Sequence, residues 1–497
     1  MRLGELLEAL EEKRVTGFED IDIAGLAYDS RAIGPRNAFF CIKGLVTDGH
    51  LHAAEAAGRG AEAIFVERPL DDGIAGKVVI IKVPDTRRAL ALCSSRFYGE
   101  PSRELKLVGI TGTNGKTTTA YLVENACRQA GVPTGLIGTV ECRVREVVEP
   151  ITRTTPESLD LQRLLRRMVD KGAKVVAMEV SSHALELHRV GGCVFDTVVF
   201  TNLTQDHLDF HISLEDYFGA KRRLFEPGEF GAGRRAVINV DDPFGRRLFD
   251  ETGLPGLSYG LGAGADVMGS DILVSRRGNS FRLERAGDSA EFSTALQGRF
   301  NVYNVLAAAG ACFELGMSIE EMRRGLEGLK GVPGRFESMD CGQDFTVIVD
   351  YAHTPDGIRS LLEACREVAR RRVILVVGCG GDRDRSKRLL MGRVGAGMSD
   401  LCIITSDNPR GEEPSAIIEM ILEGVTGEYP PERYEVEEDR RKAIYRAIEV
   451  ARTDDLVVIA GKGHESGQVF ADRVIPFDDR QVAIEGLKEV KGAQCQP

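Results

Sequence analysis

The sequence predicts an α/β protein of three domains, a small N-terminal one followed by two built on parallel sheets. Three observations predict it. The 497 residues exceed what one hydrophobic core ordinarily serves and suggest about three units. Short apolar runs alternate with helical patterns along most of the chain, as in buried parallel strands. A glycine-rich turn, Gly109-Ile110-Thr111-Gly112-Thr113-Asn114-Gly115-Lys116-Thr117-Thr118-Thr119, stands where one such run gives way to a helix.

Taken in order, residues 1–10 read as an amphipathic acidic helix. The first segment ends at Tyr98-Gly99-Glu100-Pro101-Ser102, a turn-rich joint. From residue 104 the runs 105–108, 174–180, 196–200 and 235–240 predict strands of a central parallel sheet. A second joint, Gly331-Val332-Pro333-Gly334, precedes further predicted strands at 345–349, 372–377, 400–405 and 455–460. The expected domains are 1–103, 104–333 and 334–497, with the two joints as hinges.

Composition narrows the function. A hydrophobic content of 43% with 28% charged residues belongs to an ordinary globular chain. No run approaches the roughly 20 apolar residues of a membrane span, and the N-terminus lacks the apolar core of a secretory signal. Eleven cysteines without a C-x-x-C pair, mostly inside apolar runs, read as reduced core residues. A cytoplasmic protein with no membrane insertion is the expectation. The net charge of −12 argues against nucleic acid as a partner.

The glycine-rich turn suits a polyphosphate. Glycines let backbone N–H groups approach phosphate oxygens at a helix N-terminus, and Lys116 and Thr117 can reach the terminal phosphate and a Mg²⁺ ion. The usual spacing puts a glycine at 110, where Ile110 stands instead; Gly112 is the nearest upstream. Parallel sheets place ligands beyond the carboxyl ends of strands, where Glu179-Val180-Ser181-Ser182-His183 and residues 202–211 fall. Four of the eight histidines lie at positions 183, 188, 207 and 211. Glu179 and His207 are candidate Mg²⁺ ligands.

Six motifs, in order, resemble the Mur ligases, ATP-dependent enzymes that build the peptide stem of peptidoglycan. They are Thr111 through Thr117, the Glu179 and 202–211 segments, Gly298-Arg299-Phe300-Asn301-Val302-Tyr303-Asn304, Pro333-Gly334-Arg335-Phe336-Glu337, and Asp350-Tyr351-Ala352-His353-Thr354-Pro355. The resemblance covers all three segments. It implies an N-terminal α/β domain for a UDP-sugar substrate, a central phosphate-loop ATPase-like domain, and a C-terminal Rossmann-like domain that delivers an amino acid. It further implies a monomer acting on small molecules.

Carried over by position, the resemblance assigns ATP to Gly112, Thr113, Asn114, Gly115, Lys116, Thr117 and Thr118, with Asn301 beside adenine and Asp350 at the ribose. Ser30 would touch the uridine nucleotide, while Thr154, Thr155, Ser181 and Arg189 would hold the muramoyl-dipeptide. Leu187 departs from the glutamine common at its position and cannot donate a hydrogen bond. The tetrapeptide Asp407-Asn408-Pro409-Arg410 accompanies diaminopimelate rather than lysine in this family, and Arg383, Gly461 and Glu465 complete that pocket. Lys116, Lys221, Arg335 and His207 are the expected catalytic residues. Lys221 would carry a CO₂-derived carbamate and join Thr117, Glu179 and His207 around Mg²⁺. A lysine-adding relative, a folylpolyglutamate synthetase and a nucleotide switch that ligates nothing are the alternatives.

Overall fold

In the computed structural model all residues are described except 45, 46, 71–75, 77, 150–152, 207–209, 227–229, 231–233 and 493–497. Three main sheets follow one another along the chain. The first has five strands, in the order Arg14–Thr16, Val79–Lys82, Ala61–Val66, Asn37–Phe40 and Gly25–Ala27. All neighbours run parallel except the Arg14–Thr16 edge. The N-terminal helix is shorter than the sequence suggested, Leu3–Leu7, and buries Leu3, Leu6 and Leu7.

The central sheet has eleven strands, and only its core is parallel. Strands Val267–Ser275, Gly256–Gly260, Arg235–Asn239, Thr197–Phe200, Lys106–Thr111, Val175–Glu179 and Thr134–Ile137 form that core. Gly278–Arg285 and Asp288–Thr294 add an antiparallel meander at one edge; Cys142–Val144 and Val147–Glu149 add one at the other. The expected parallel strands form the centre of the sheet, and antiparallel strands extend both edges. Strand Val267–Ser275 alternates half-buried and exposed residues toward its end, the mark of a half-solvated antiparallel strand. The sequence reading sought continuous apolar runs and passed over it.

The third sheet orders Glu337–Ser338, Thr346–Asp350, Leu456–Ala460, Val373–Val377, Leu401–Ile404 and Tyr434–Val436, parallel apart from the first. Alternate residues serve two cores: Ile348, Leu375 and Val458 pack on one face, Val347, Ile374 and Val457 on the other. Both faces are covered by helices, so each strand is apolar throughout, and each fully buried aliphatic side chain contributes roughly 1.5–3 kcal/mol. Nine cysteines are free and buried. Cys341 is disulfide-bonded, a departure from the all-reduced expectation.

Contacts tie the segments together. Arg87 pairs with Glu157 at 3.2 Å, and Ser95 Oγ donates to the Gly192 carbonyl. Arg276 pairs with Asp454 at 2.8 Å, and the Arg299 N–H donates to Glu367. Residues beyond the carboxyl ends of strands Val175–Glu179 and Thr197–Phe200 share a cavity with loops of the third sheet.

Candidate active site

Strand Lys106–Thr111 delivers the chain into the glycine-rich loop, and helix Lys116–Gln129 leaves it. Gly112 has φ +143°, and a Cβ there would lie 1.9 Å from Thr201 Oγ1; Gly115 has φ +86°, with Asn304 Oδ1 2.3 Å from the same construction. Both positions demand glycine, by conformation and by crowding. Asn114 N donates to Asn202 Oδ1, and Thr113 Oγ1 donates to the Thr204 carbonyl. Thr118 is buried in the first helical turn.

Lys116 Nζ donates to the carbonyls of Gly112 and Thr113 at 2.9 and 2.8 Å, curled over the loop it would serve. Burial lowers its pKa, and Arg335 adds to that; Glu179 and Asp206 oppose it. Glu179, 1% exposed, accepts from Thr117 Oγ1 at 3.0 Å and from the Thr139 N–H at 2.6 Å. Hydroxyl and carboxylate oxygens thus meet at the helix N-terminus. No group of three or more His, Cys, Asp or Glu able to hold a metal occurs among the described residues. His207 lies outside them.

Lys221 is 1% exposed. Its Nζ donates to the Gly112 carbonyl at 2.8 Å and lies 4.4 Å from the centre of the Tyr217 ring. Burial holds its amine well below the usual lysine value, with the Lys116 charge acting in the same direction. Lys221 is therefore not a lysine on a solvated helix face. Beside it His211 is buried, and its Nε2 has no hydrogen-bond partner among the described residues.

Arg335 stacks on Tyr351, 4.6 Å from the ring centre, and its Nε has no partner among the described residues. Asp350 accepts from the N–H groups of Phe336 and Ala352 at 2.7 and 2.8 Å; burial raises its pKa against the pull of Arg335. Asn301 Nδ2 donates to the Gln297 carbonyl, and Asn304 Nδ2 to Asn301 Oδ1. Asn301 is linked in this way to the Gly115 turn.

Between the second and third sheets lies a cavity of about 730 Å³. Arg383, Asp407, Asn408, Arg410, Gly461 and Glu465 line it from the third, and His183, Gln205 and Asp206 from the second. Pro409 is absent from the lining; its carbonyl accepts from the Glu412 N–H in the turn that carries Arg410. Arg410 has φ +51° and donates Nη1 to the Gly381 carbonyl at 2.9 Å.

Family models match in three successive blocks: the Mur ligase family catalytic domain over residues 22–98, the middle domain over 110–312, and the glutamate ligase domain over 334–463. The chain belongs to the Mur ligase family. It is 46% identical over 488 residues, 98% of its length and 99% of the relative's, to UDP-N-acetylmuramoyl-L-alanyl-D-glutamate–2,6-diaminopimelate ligase of Syntrophomonas wolfei. It is 48% identical to the enzyme of that name from Geobacillus kaustophilus, over 98% of this chain and all of that one. A solved structure of a ligase of that name is 31% identical and superposes with a TM-score of 0.69, covering 97% of this chain and 98% of its own.

Of the other residues of this Mur ligase assigned from sequence, Thr154, Thr155, Ser181 and Arg189 gather around the carboxyl end of strand Val175–Glu179. Thr155 Oγ1 donates to the Glu179 carbonyl and accepts from Ser181 N. Arg189 Nη1 donates to the Thr155 carbonyl at 3.4 Å, and Thr154 Oγ1 is 3.0 Å from Thr139 Oγ1. Arg87, Arg153 and Arg189 all reach Glu157, so three cations share one carboxylate. Ser30 stands apart from this group, bonded to Glu55 at 2.9 Å.

Sequence reasoning gave no role to three residues that the fold brings in. Thr139 follows strand Thr134–Ile137, and its signal was only its place at a strand's carboxyl end. Asn304 sits one helical turn after Asn301. Asp206 lines the cavity and acts electrostatically on Lys116, Lys221 and His353; it stood unmarked beside His207.

Proposed function

We propose that the chain joins meso-diaminopimelate to the γ-carboxylate of D-glutamate in UDP-N-acetylmuramoyl-L-alanyl-D-glutamate, with ATP converted to ADP and phosphate, in peptidoglycan synthesis. The observation that carries this reading is the cavity between the second and third sheets, with Arg410, Arg383, Asn408 and Glu465 in its wall. The near-full-length relatives named above bear the same activity in their names. Ligase chemistry follows from family membership.

A carboxylate is a poor electrophile, so its oxygen first attacks the γ-phosphorus of ATP. ADP leaves, and an acyl phosphate remains. The neutral amine of the amino acid attacks that carbonyl; the tetrahedral species collapses and expels phosphate. Two anions must meet in the first step, and Lys116 and Arg335 offset their charge. Thr117 and Glu179 supply hard oxygen donors of the kind Mg²⁺ takes together with phosphate and water, so the residues fit the ion. Bound there, Mg²⁺ would neutralise charge on the β- and γ-phosphates. His207 and a Lys221 carbamate complete the proposed ligand set. Carbamate forms when CO₂ adds to a neutral amine, the form that the surroundings of Lys221 favour.

Asn301 and Asp350 would hold adenosine; Ser30 the uridine; Thr154, Thr155, Ser181 and Arg189 the muramoyl-dipeptide. Closure about the joints near Pro101 and Gly331 would keep water from the acyl phosphate. A cytoplasmic monomer completes the reading. No helix among the described residues is long and apolar enough to cross a membrane. Phosphate release, measured with ATP and each substrate omitted in turn, tests the proposal. Release should require both the UDP-muramoyl-dipeptide and diaminopimelate; turnover with ATP alone would mark a nucleotide switch.

A further inference from the structure

One buried side chain holds two walls of the amino-acid cavity in place. Lys462 is 0% exposed. Its Nζ donates to Asn408 Oδ1 at 2.9 Å, to Glu465 Oε2 at 3.0 Å and to the Gly467 carbonyl at 2.7 Å. Asn408 Oδ1 also accepts from the Val469 N–H at 3.0 Å. Both lone-pair directions of that oxygen are filled. A turned amide would set its own NH₂ against two donors, so its polarity is fixed.

The Asn408 amide nitrogen donates to Glu465 Oε2 at 2.8 Å and retains a second N–H. Glu465 Oε2 accepts twice, and Oε1 has no partner among the described residues. Both residues line the cavity. Together they offer it one N–H and one carboxylate oxygen. That pair matches a carboxylate beside an ammonium, the head of an amino acid.

We propose that Lys462 is a positioning residue that makes the cavity require a carboxylate next to an ammonium, by locking Asn408 as donor and Glu465 as acceptor. The role rests on the diaminopimelate reading. Diaminopimelate carries such a head at its far end. Lysine ends in an ammonium alone, which satisfies Glu465 and leaves the Asn408 N–H unmet, and an unmet buried donor discriminates strongly. Without Lys462 the amide is held only by the Val469 N–H and by Glu465, so turning it to give Oδ1 to the lysine ammonium meets one opposing donor instead of two.

The test uses the full chain with saturating ATP and UDP-muramoyl-dipeptide, and compares kcat/KM for diaminopimelate and L-lysine in wild type and Lys462→Met. The expected result is a fall of about tenfold or more in the diaminopimelate-to-lysine ratio, the loss of one hydrogen bond to a charged group, with the KM for ATP unchanged. In an Asn408→Ala background, Lys462→Met should add little further loss. An unchanged ratio with uniformly lower kcat overturns the role. Should Lys462→Met fail to melt cooperatively, Asn408→Asp decides: it can still pair with Lys462 but only accepts, so an unchanged ratio there also overturns it. Wild type with no preference for diaminopimelate overturns the substrate reading itself, and is seen before any variant is made.

Discussion

Lys221 and Lys462 are both buried, at 1% and 0% exposure, and their surroundings are opposite. Lys462 gives its donors to two side chains and a carbonyl around the amino-acid cavity. Lys221 has the Gly112 carbonyl, the face of Tyr217 and a neighbouring cation, Lys116, whose charge outweighs the opposing one of Asp206. Burial alone therefore says little about a lysine. With acceptors arranged around it, the side chain shapes its neighbours; with few acceptors and a like charge beside it, the amine is driven toward its neutral, reactive form. The same contrast separates the two halves of the site: a phosphate side crowded with cations, and a cavity side of paired donors and acceptors.

The phosphate side of this contrast should suffer most from Lys116→Ala. Loss of one positioned charge at a developing phosphoryl anion costs about 3 kcal/mol, or about a hundredfold in kcat. Binding of UDP-muramoyl-dipeptide, read by calorimetry, should stay close to wild type. Undiminished ATP turnover would break the phosphate-loop assignment.

Lys221→Ala comes next, with an expected loss of about 2 kcal/mol, roughly thirtyfold in kcat. A small carboxylate in solution should restore part of the activity by standing in for the carbamate. Near-wild-type turnover in that variant would erase the distinction drawn between the two lysines. On the cavity side, Arg410→Lys keeps the charge but loses the planar fork, so the KM for diaminopimelate should rise about tenfold while that for ATP holds. Equal effects on both KM values would show that Arg410 supports the fold rather than the substrate.

The last effect concerns pH and acts on stability rather than on turnover. His464 has its pKa lowered to about 4, chiefly by burial and then by Arg335. Below its usual value near 6.5 the unfolded chain takes up a proton that the native chain refuses, so this contribution to stability is complete above about pH 6.5 and is lost as pH falls toward 4. The cost should reach about 3 kcal/mol by pH 4. Urea midpoints of His464→Gln should accordingly vary less between pH 6.5 and 4 than those of wild type; parallel curves would contradict the shift.

What the sequence revealed follows from locality. The phosphate loop is contiguous, and its glycines are demanded by backbone conformation, so residues 111–117 were readable without the fold. The strands 174–180, 196–200 and 455–460 were readable because burial on both faces makes them apolar throughout. The meander of residues 267–294 was missed because its half-exposed strands mix polar and apolar positions. Lys462 and Thr139 could not be seen from the chain, since their partners Asn408 and Glu179 are distant in sequence and nothing in either local pattern names them. Lys221 lies in a basic helical run whose local pattern carries no sign of burial, and only the folded chain buries it.

The most direct test of the account offers purified protein, ATP and UDP-muramoyl-dipeptide an equimolar mixture of meso-diaminopimelate and L-lysine, and weighs the product by mass spectrometry. The account predicts a UDP-muramoyl-tripeptide heavier than its lysine counterpart by one carboxyl group, formed with one ADP per peptide bond. A lysine-containing product, or ADP formed with no tripeptide at all, would contradict it.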